Sequence, residues 1–256
     1  MIRSFTCQQM LLVESAAMTT YSARPVPMPS PASGGTGRRA RRRAETIEEI
    51  LDIAVDVMTE EGVNALSLAE VARRLGVQPP SLYKYFPSLM AVFDALFRRG
   101  QLEHLAVLRD AMAAAKPGLD ALTAGLEASG RWALANRALA ELLFWRPVPS
   151  FEPSAEAFAP SVQMVALQRA ALSQAVVAGQ LSADADADAT IYLVSTLIVG
   201  VLSQAIANEP DLPWGEGRFT PLFPKLMKLL VAAFPPPSAR AGVAPAQADP
   251  GAGFGG

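Results

Sequence analysis

Apolar residues at spacings of three and four open the ordered part of the chain. Ile47, Ile50, Leu51, Ala54, Val55 and Met58 line one stripe of a helix that begins near Arg41 and stops at Gly62. Ser67-Leu68-Ala69-Glu70 then reads as a capping box, in which the Ser hydroxyl accepts from the amide three residues on and the Glu carboxylate reaches back. A second, short helix therefore starts at Ser67, runs through Val71, Ala72 and Leu75, and is closed by Gly76, whose tolerance of positive φ suits a sharp turn. Pro79 and Pro80 fit the first turn of a third helix, where a missing amide proton costs nothing. Leu82 and Phe86 share its face, and Pro87 ends it.

Beyond residue 101 the spacing stays helical without strand-like alternation, and helices are expected over 102–115, 118–136, 137–145, 155–179, 184–208 and 220–234. The pattern predicts an all-α protein: a three-helix N-terminal domain (38–100) with helix-turn-helix layout, followed by a larger helical bundle (101–234). Residues 1–37, with PVPMPSPASGGTG, and 235–256, rich in Pro, Gly and Ala, lack any sustained period and are expected to be disordered. Met1, Met18 and Met28 are each compatible with a translation start.

Composition removes several function classes. Across 256 residues, 22 Lys+Arg against 24 Asp+Glu leave a formal charge of −2, so the chain is no polycation and any nucleic-acid binding must come from where the charge sits. The single Cys7 makes neither an internal disulfide nor a multi-thiolate zinc site, and the lone His104 removes mechanisms that need a histidine pair or triad. No enzyme, cofactor or metal site is expected. Asp184, Asp186 and Asp188 lack the Gly and terminal Glu of an EF-hand loop, and acids at a helix start need no metal. Gln8, Gln9 and Glu14 interrupt the apolar N-terminal patch, which argues against a signal peptide. The apolar stretch 190–206 is at the lower length limit for a membrane span and reads as a buried helix, so a cytoplasmic location without membrane association is expected.

The segment 66–86, LSLAEVARRLGVQPPSLYKYF, joins two short helices by a glycine-containing turn, with Ala72, Val77 and Leu82 as the small apolar contacts such a motif needs. Together with the preceding amphipathic helix and the ending SLYKYFPS, it closely resembles the TetR family of bacterial transcriptional regulators over about residues 40–100. The resemblance implies that 78–86 is the recognition helix in the major groove of a double-stranded DNA operator. Gln78, Pro80, Ser81 and Lys84 match positions that approach base edges or nearby phosphates, Tyr83 and Tyr85 match backbone-contacting tyrosines, and Ser67 matches a phosphate contact. Read from the residues alone, Leu82 and Phe86 are core, Tyr85 divides between packing and phosphate contact, and Arg73 and Arg74 fit an exposed helix face as well as DNA. The family often carries a lysine near the start of its fourth helix; Leu89 and Met90 stand here, leaving Ser88 or the helix amide end for that contact.

Charge placement sharpens this. Arg38, Arg39, Arg41, Arg42 and Arg43 stand directly before the first helix, where an arginine arm reaches a minor groove or phosphates. Residues 38–86 nevertheless hold eight basic and eight acidic side chains, most of the acids on the first helix, so affinity per protomer is modest and two copies are needed. For the bundle, the resemblance implies an interior that binds a small apolar or amphipathic effector, with Trp132, Phe144, Trp145, Phe158, Met164 and Tyr192 as candidate lining, each also explicable as core. It also implies a homodimer through the last two long helices. Ile191, Val194, Ser195, Ile198, Val199 and Leu202 are candidates from one helix, with Gly200 permitting close approach, and Leu226, Leu229, Leu230 and Phe234 from the other. The expected function is a homodimeric repressor released from a palindromic operator by its effector. The alternative is a helical lipid- or small-molecule-binding protein associated with membranes.

Overall fold

The computed structural model describes residues 34–237, so most of 1–37 and of 235–256 lies outside the described residues. The first helix, α1 (Gly34–Glu61), begins seven residues ahead of the expected start near Arg41, so Arg38, Arg39, Arg41, Arg42 and Arg43 lie within it and form no arm ahead of it. Its stripe of Ile50, Leu51, Ala54, Val57 and Met58 is buried. A 3₁₀ turn (Val63–Ala65) leads to α2 (Leu68–Leu75), whose N-cap Ser67 Oγ accepts from the Glu70 amide at 3.2 Å. Gly76 closes α2 at φ 73°, and Val77 N–H donates to the Ala72 carbonyl at 3.0 Å, satisfying an orphan helix-end acceptor.

Only the serine half of the expected capping box forms. The Glu70 carboxylate instead accepts from Arg73 (Nη2 2.6 Å, Nε 2.8 Å) and from Arg74 Nε at 2.7 Å. Arg74 also reaches Glu60 (2.8 Å) and Glu61 (2.7 Å) at the end of α1. Two guanidiniums within reach outcompete a single backbone amide for the carboxylate, because both partners carry full charge. Arg73 and Arg74 are thereby tied into the joint between α1 and α2.

The third helix is less regular than expected. Residues 78–86 form a 3₁₀ turn (Pro79–Ser81) followed by hydrogen-bonded turns, Leu82 N–H to Pro79 O at 3.0 Å and Phe86 N–H to Leu82 O at 3.0 Å. Two successive prolines remove two donors from a segment only nine residues long, and Pro87 forbids extension. Leu82 and Phe86 are buried as expected, whereas Val77 lies exposed at the turn and adds little to the packing.

Helix α3 (Leu89–Ala114) is a single rod of 26 residues that crosses the expected boundary near 100. Ser88 caps it, its Oγ accepting from Ala91 N–H at 3.2 Å. Val92, Phe93, Leu96 and Phe97 bury in the amino-terminal half, and Gln101, His104, Leu105 and Leu108 in the other. Four helices pack around or beyond it: α4 (Leu119–Ala135), α5 (Arg137–Phe144), α6 (Ala155–Val177) and α7 (Asp188–Asn208), with α8 (Phe223–Ala233) against α7. No strand occurs among the described residues. At Gly100 an added Cβ would stand 3.0 Å from a Leu143 methyl, so glycine is what lets α3 and α5 approach. Asp94 accepts from both the backbone N–H (2.6 Å) and hydroxyl (2.9 Å) of Ser154, docking the start of α6 on α3.

Helix α7 is long and apolar enough to cross a membrane by length and composition. Its Ile191, Val194, Ile198 and Leu202 are buried in this chain's own core. The residues left on its outer side are Leu193, Thr196, Gly200 and Gln204. The helix starts at Asp188, four residues later than expected, because 183–185 form a separate 3₁₀ turn; Asp188 pairs with Arg169 at 2.6 Å.

The Glu70 cluster has a pH signature. Hydrogen bonds from Arg73 and Arg74 hold its carboxyl down at about 2 from an ordinary 4.5. A depressed carboxyl stabilises the fold above its unfolded value, and that contribution is lost as pH falls from about 4.5 toward 2. Urea unfolding across this range is expected to show a shallower acid loss in Glu70→Gln than in the parent protein.

Candidate nucleic-acid interface

The turn at Gly76 and the prolines that follow push 78–85 out from the body of the domain. Gln78, Pro80 and Lys84 are exposed, Tyr83 is 55% exposed, and Ser81 and Tyr85 are half-buried above Leu82 and Phe86. Arg41, Arg42 and Arg43 are exposed on α1, about two turns in from its start at Gly34. Arg41 leans on Glu45 at 3.4 Å. Arg43 does something the sequence did not announce: its Nη1 donates to the Lys84 carbonyl at 3.0 Å and its guanidinium lies 5.2 Å from the Tyr85 ring centroid. Lys84 Nζ stands 4.9 Å from the same ring. The phenol is thus flanked by two cations, neither with a carboxylate partner among the described residues.

Ser67 is half-buried, and because its Oγ already accepts from Glu70 N–H, its own proton is directed elsewhere. The arrangement brings Arg43, Lys84 and Tyr85 together and carries Gln78, Pro80, Ser81 and Tyr83 on the same short segment. Such a surface offers cationic donors to phosphate oxygens and amide and hydroxyl groups to base edges. Sequence reasoning paired Arg43 with Arg41 and Arg42 as an arm and missed its bond to Lys84, for which no local pattern exists.

The candidate effector residues separate into groups. Trp132 stacks on His104 (centroids 5.0 Å, 14°), and Phe144 meets His104 edge-on at 5.6 Å and Trp145 at 5.7 Å. Trp145 is partly exposed, and its Nε1 donates to Ser203 Oγ at 3.0 Å. Phe158 stacks on Phe97 at 6.3 Å, with the Arg146 guanidinium 5.7 Å from its ring, while Met164 packs with Leu105 and Leu108. Tyr192 sits half-buried on α7. His104 is the residue the sequence undervalued: it is the hub of this aromatic group, and its signal was a polar pair, Gln101 and His104, one turn apart on an otherwise apolar face.

Burial pushes the His104 imidazole down to about 4 from 6.5. Between those values the unfolded chain binds a proton that the folded one refuses, so stability falls as pH drops from 6.5 toward 4, by about 3 kcal/mol in all. Chemical denaturation at stepped pH is expected to show this loss in the parent protein and its absence in His104→Phe.

Residues 50–96 match the family model described as bacterial regulatory proteins, tetR family. The chain is 40% identical over 55 residues to an uncharacterized HTH-type transcriptional regulator, YobS, of Bacillus subtilis, covering 22% of this chain and 29% of that protein. It is 43% identical over 47 residues to the class A tetracycline repressor from transposon 1721 of Escherichia coli, covering 18% and 22%. The chain thus aligns with less than a third of the length of these two curated relatives. The crystal structure of the TetR family regulator PfmR from Thermus thermophilus superposes with a TM-score of 0.55 at 22% identity, over 72% of this chain and 97% of that one, which shows a shared fold. Residues 50–96 thus carry the amino-terminal domain described for the tetR family of bacterial regulatory proteins, and the remaining helices share the arrangement seen in a TetR family structure.

Proposed function

We propose that the protein is a DNA-binding transcriptional regulator of the cytoplasm, a homodimeric repressor that leaves a palindromic operator when a small apolar or amphipathic effector binds its bundle. The observation that carries this reading is the recognition segment itself. It presents exposed Gln78, Tyr83 and Lys84 on a turn fixed by buried Leu82 and Phe86 and braced from α1 by Arg43. Ser67, Pro80, Ser81 and Tyr85 complete the proposed contact surface, with Arg41 and Arg42 on α1. The functional division we propose is a recognition module over 38–100 and an effector and dimerisation bundle over 101–234. The chain has no catalytic role in this reading.

Dimerisation is supported by what α7 and α8 leave uncovered. Leu229 is 61% exposed, Leu193 and Leu222 are exposed as well, and Gly200 has open space where a Cβ would stand. Apolar side chains and a bare backbone patch on adjacent helices suit a second copy packing at close range. Effector release is supported by α3, whose two halves serve the two modules. Arg99 donates to Asp52 on α1 at 2.5 Å, and one residue on Gly100 meets Leu143 on α5. An effector that favours a different α3 position weakens operator binding by its differential affinity for the two arrangements.

Selection of bound sequences from random duplexes, followed by footprinting, tests the core of the reading: a symmetric site with half-sites about one helical turn apart is expected, and a single asymmetric site counts against it. Tyr83→Ala and Lys84→Ala are each expected to weaken operator binding by about 1–3 kcal/mol, and Lys84→Ala to lower the salt slope by about one. Unchanged affinity returns that residue to a packing role. Leu229→Glu is expected to convert the dimer to monomer in sedimentation velocity.

A further inference from the structure

The interior between α3, α4 and α6 holds polar atoms that the fold leaves unmet. Gln101 and His104 stand one turn apart on α3, Ser129 and Trp132 one turn apart on α4, and Ser161 lies on α6, one turn from Met164. All five are at most 9% exposed. Gln101 Oε1, both His104 ring nitrogens, Ser129 Oγ, Trp132 Nε1 and Ser161 Oγ have no hydrogen-bond partner within the protein. The His104 and Trp132 rings, which carry three of these nitrogens, stack directly on one another with centroids 5.0 Å apart. Native interiors leave few such atoms, and each is costly, so a concentration of them on three facing helices calls for an occupant.

The inventory specifies that occupant's chemistry. Trp132 Nε1 only donates, Gln101 Oε1 only accepts, neutral His104 offers one of each, and the serine hydroxyls do either. No side chain in the group is ionised. A charged head placed there would be desolvated without a counter-ion, whereas a neutral head that both donates and accepts meets it without that penalty. Arg146 is the cation in the neighbourhood. It is half-buried over the rings of Phe97 and Phe158 (5.8 and 5.7 Å), which precede Gln101 and Ser161 by one turn, and those π faces already serve its charge. On the other side, Leu105, Leu108 and Met164, with Met112 against them, form a small apolar cluster of their own, and thioether side chains reshape readily around a hydrocarbon.

We propose that the effector is a neutral amphipathic molecule whose amide- or hydroxyl-type head lodges among Gln101, His104, Ser129 and Trp132 while its apolar tail runs along Leu105, Leu108 and Met164. This rests on the reading of the bundle interior as the effector site and names the ligand class that site takes.

Three probes of equal chain length separate the possibilities: octanamide, octanoate and octylammonium, titrated into the full chain by calorimetry between pH 6 and 8. Octanamide is expected to bind tightest and independently of pH. Octanoate, entering only as the protonated acid, is expected to weaken about tenfold per pH unit. Trp132→Phe and Gln101→Leu are each expected to lower octanamide affinity about tenfold while melting no lower than the parent, since each removes an unmet polar atom. The proposal is overturned if octanoate outbinds octanamide at pH 8 and Arg146→Gln abolishes that binding, because the site then reads an acid. It is equally overturned if octanamide fails to bind. These titrations contain no DNA: a chain that selects an operator but ignores octanamide refutes this inference alone, and one that binds octanamide but no duplex refutes the regulator reading alone.

Discussion

The continuity of α3 is the constraint from which the rest follows. One face of this rod supplies Val92, Phe93, Leu96 and Phe97 to the core shared with α1 and α2, and further along the same rod Gln101 and His104 are buried in the bundle. Helices on both sides are tied to the rod: Arg99 pairs with Asp52 on α1, Asp94 accepts from Ser154 at the start of α6, and Gly100 lets Leu143 of α5 press against its backbone. A helix stores little slack along its axis, so a displacement imposed at His104 reaches Phe93 largely as rigid motion. The helices packed along its two halves are accordingly linked by geometry.

Much of the fold was legible because it is written in local rules. The stripe from Ile47 to Met58, the Ser67 cap, the Gly76 stop and the prolines at 79, 80 and 87 each carry their meaning within one or two turns of chain; the first two helices they predict are present, and the third is reduced to a 3₁₀ turn and hydrogen-bonded turns. Boundaries set by the absence of a signal were harder. Nothing between Leu89 and Ala114 breaks a helix except Gly100, whose role depends on a neighbour in another helix. The apolar pattern of α7 runs nearly all the way round, so periodicity could not say whether Ile191, Val194, Ile198 and Leu202 face the chain's own core, and they do.

The candidate sites divide the same way. Exposed Tyr83 and Lys84 beside buried Leu82 and Phe86 follow from the spacing of 82 and 86 on one face. The bond from Arg43 to Lys84 spans 41 residues, and the choice of Glu70 for Arg73 and Arg74 depends on where Glu60 and Glu61 end up. In the bundle, the aromatic candidates were visible as residue types, but the unmet polar atoms among them were not. A lone histidine or serine within an apolar stretch looks incidental until Gln101, His104, Ser129, Trp132 and Ser161 are found buried without partners on three helices that pack together.

The brace from Arg43 carries a thermodynamic consequence. A free arginine arm loses rotamer and backbone freedom when it meets a polyanion, and that loss is subtracted from whatever attraction it gains. Here Arg43 is fixed within α1 and held against the Lys84 carbonyl and the Tyr85 ring. The ordering cost of that side chain falls on folding, and the spacing between α1 and the segment 78–86 is set in advance. Preorganisation of that kind favours discrimination by distance: a surface whose charges stand at the matching separation gains both contacts, and one that does not must first break the brace.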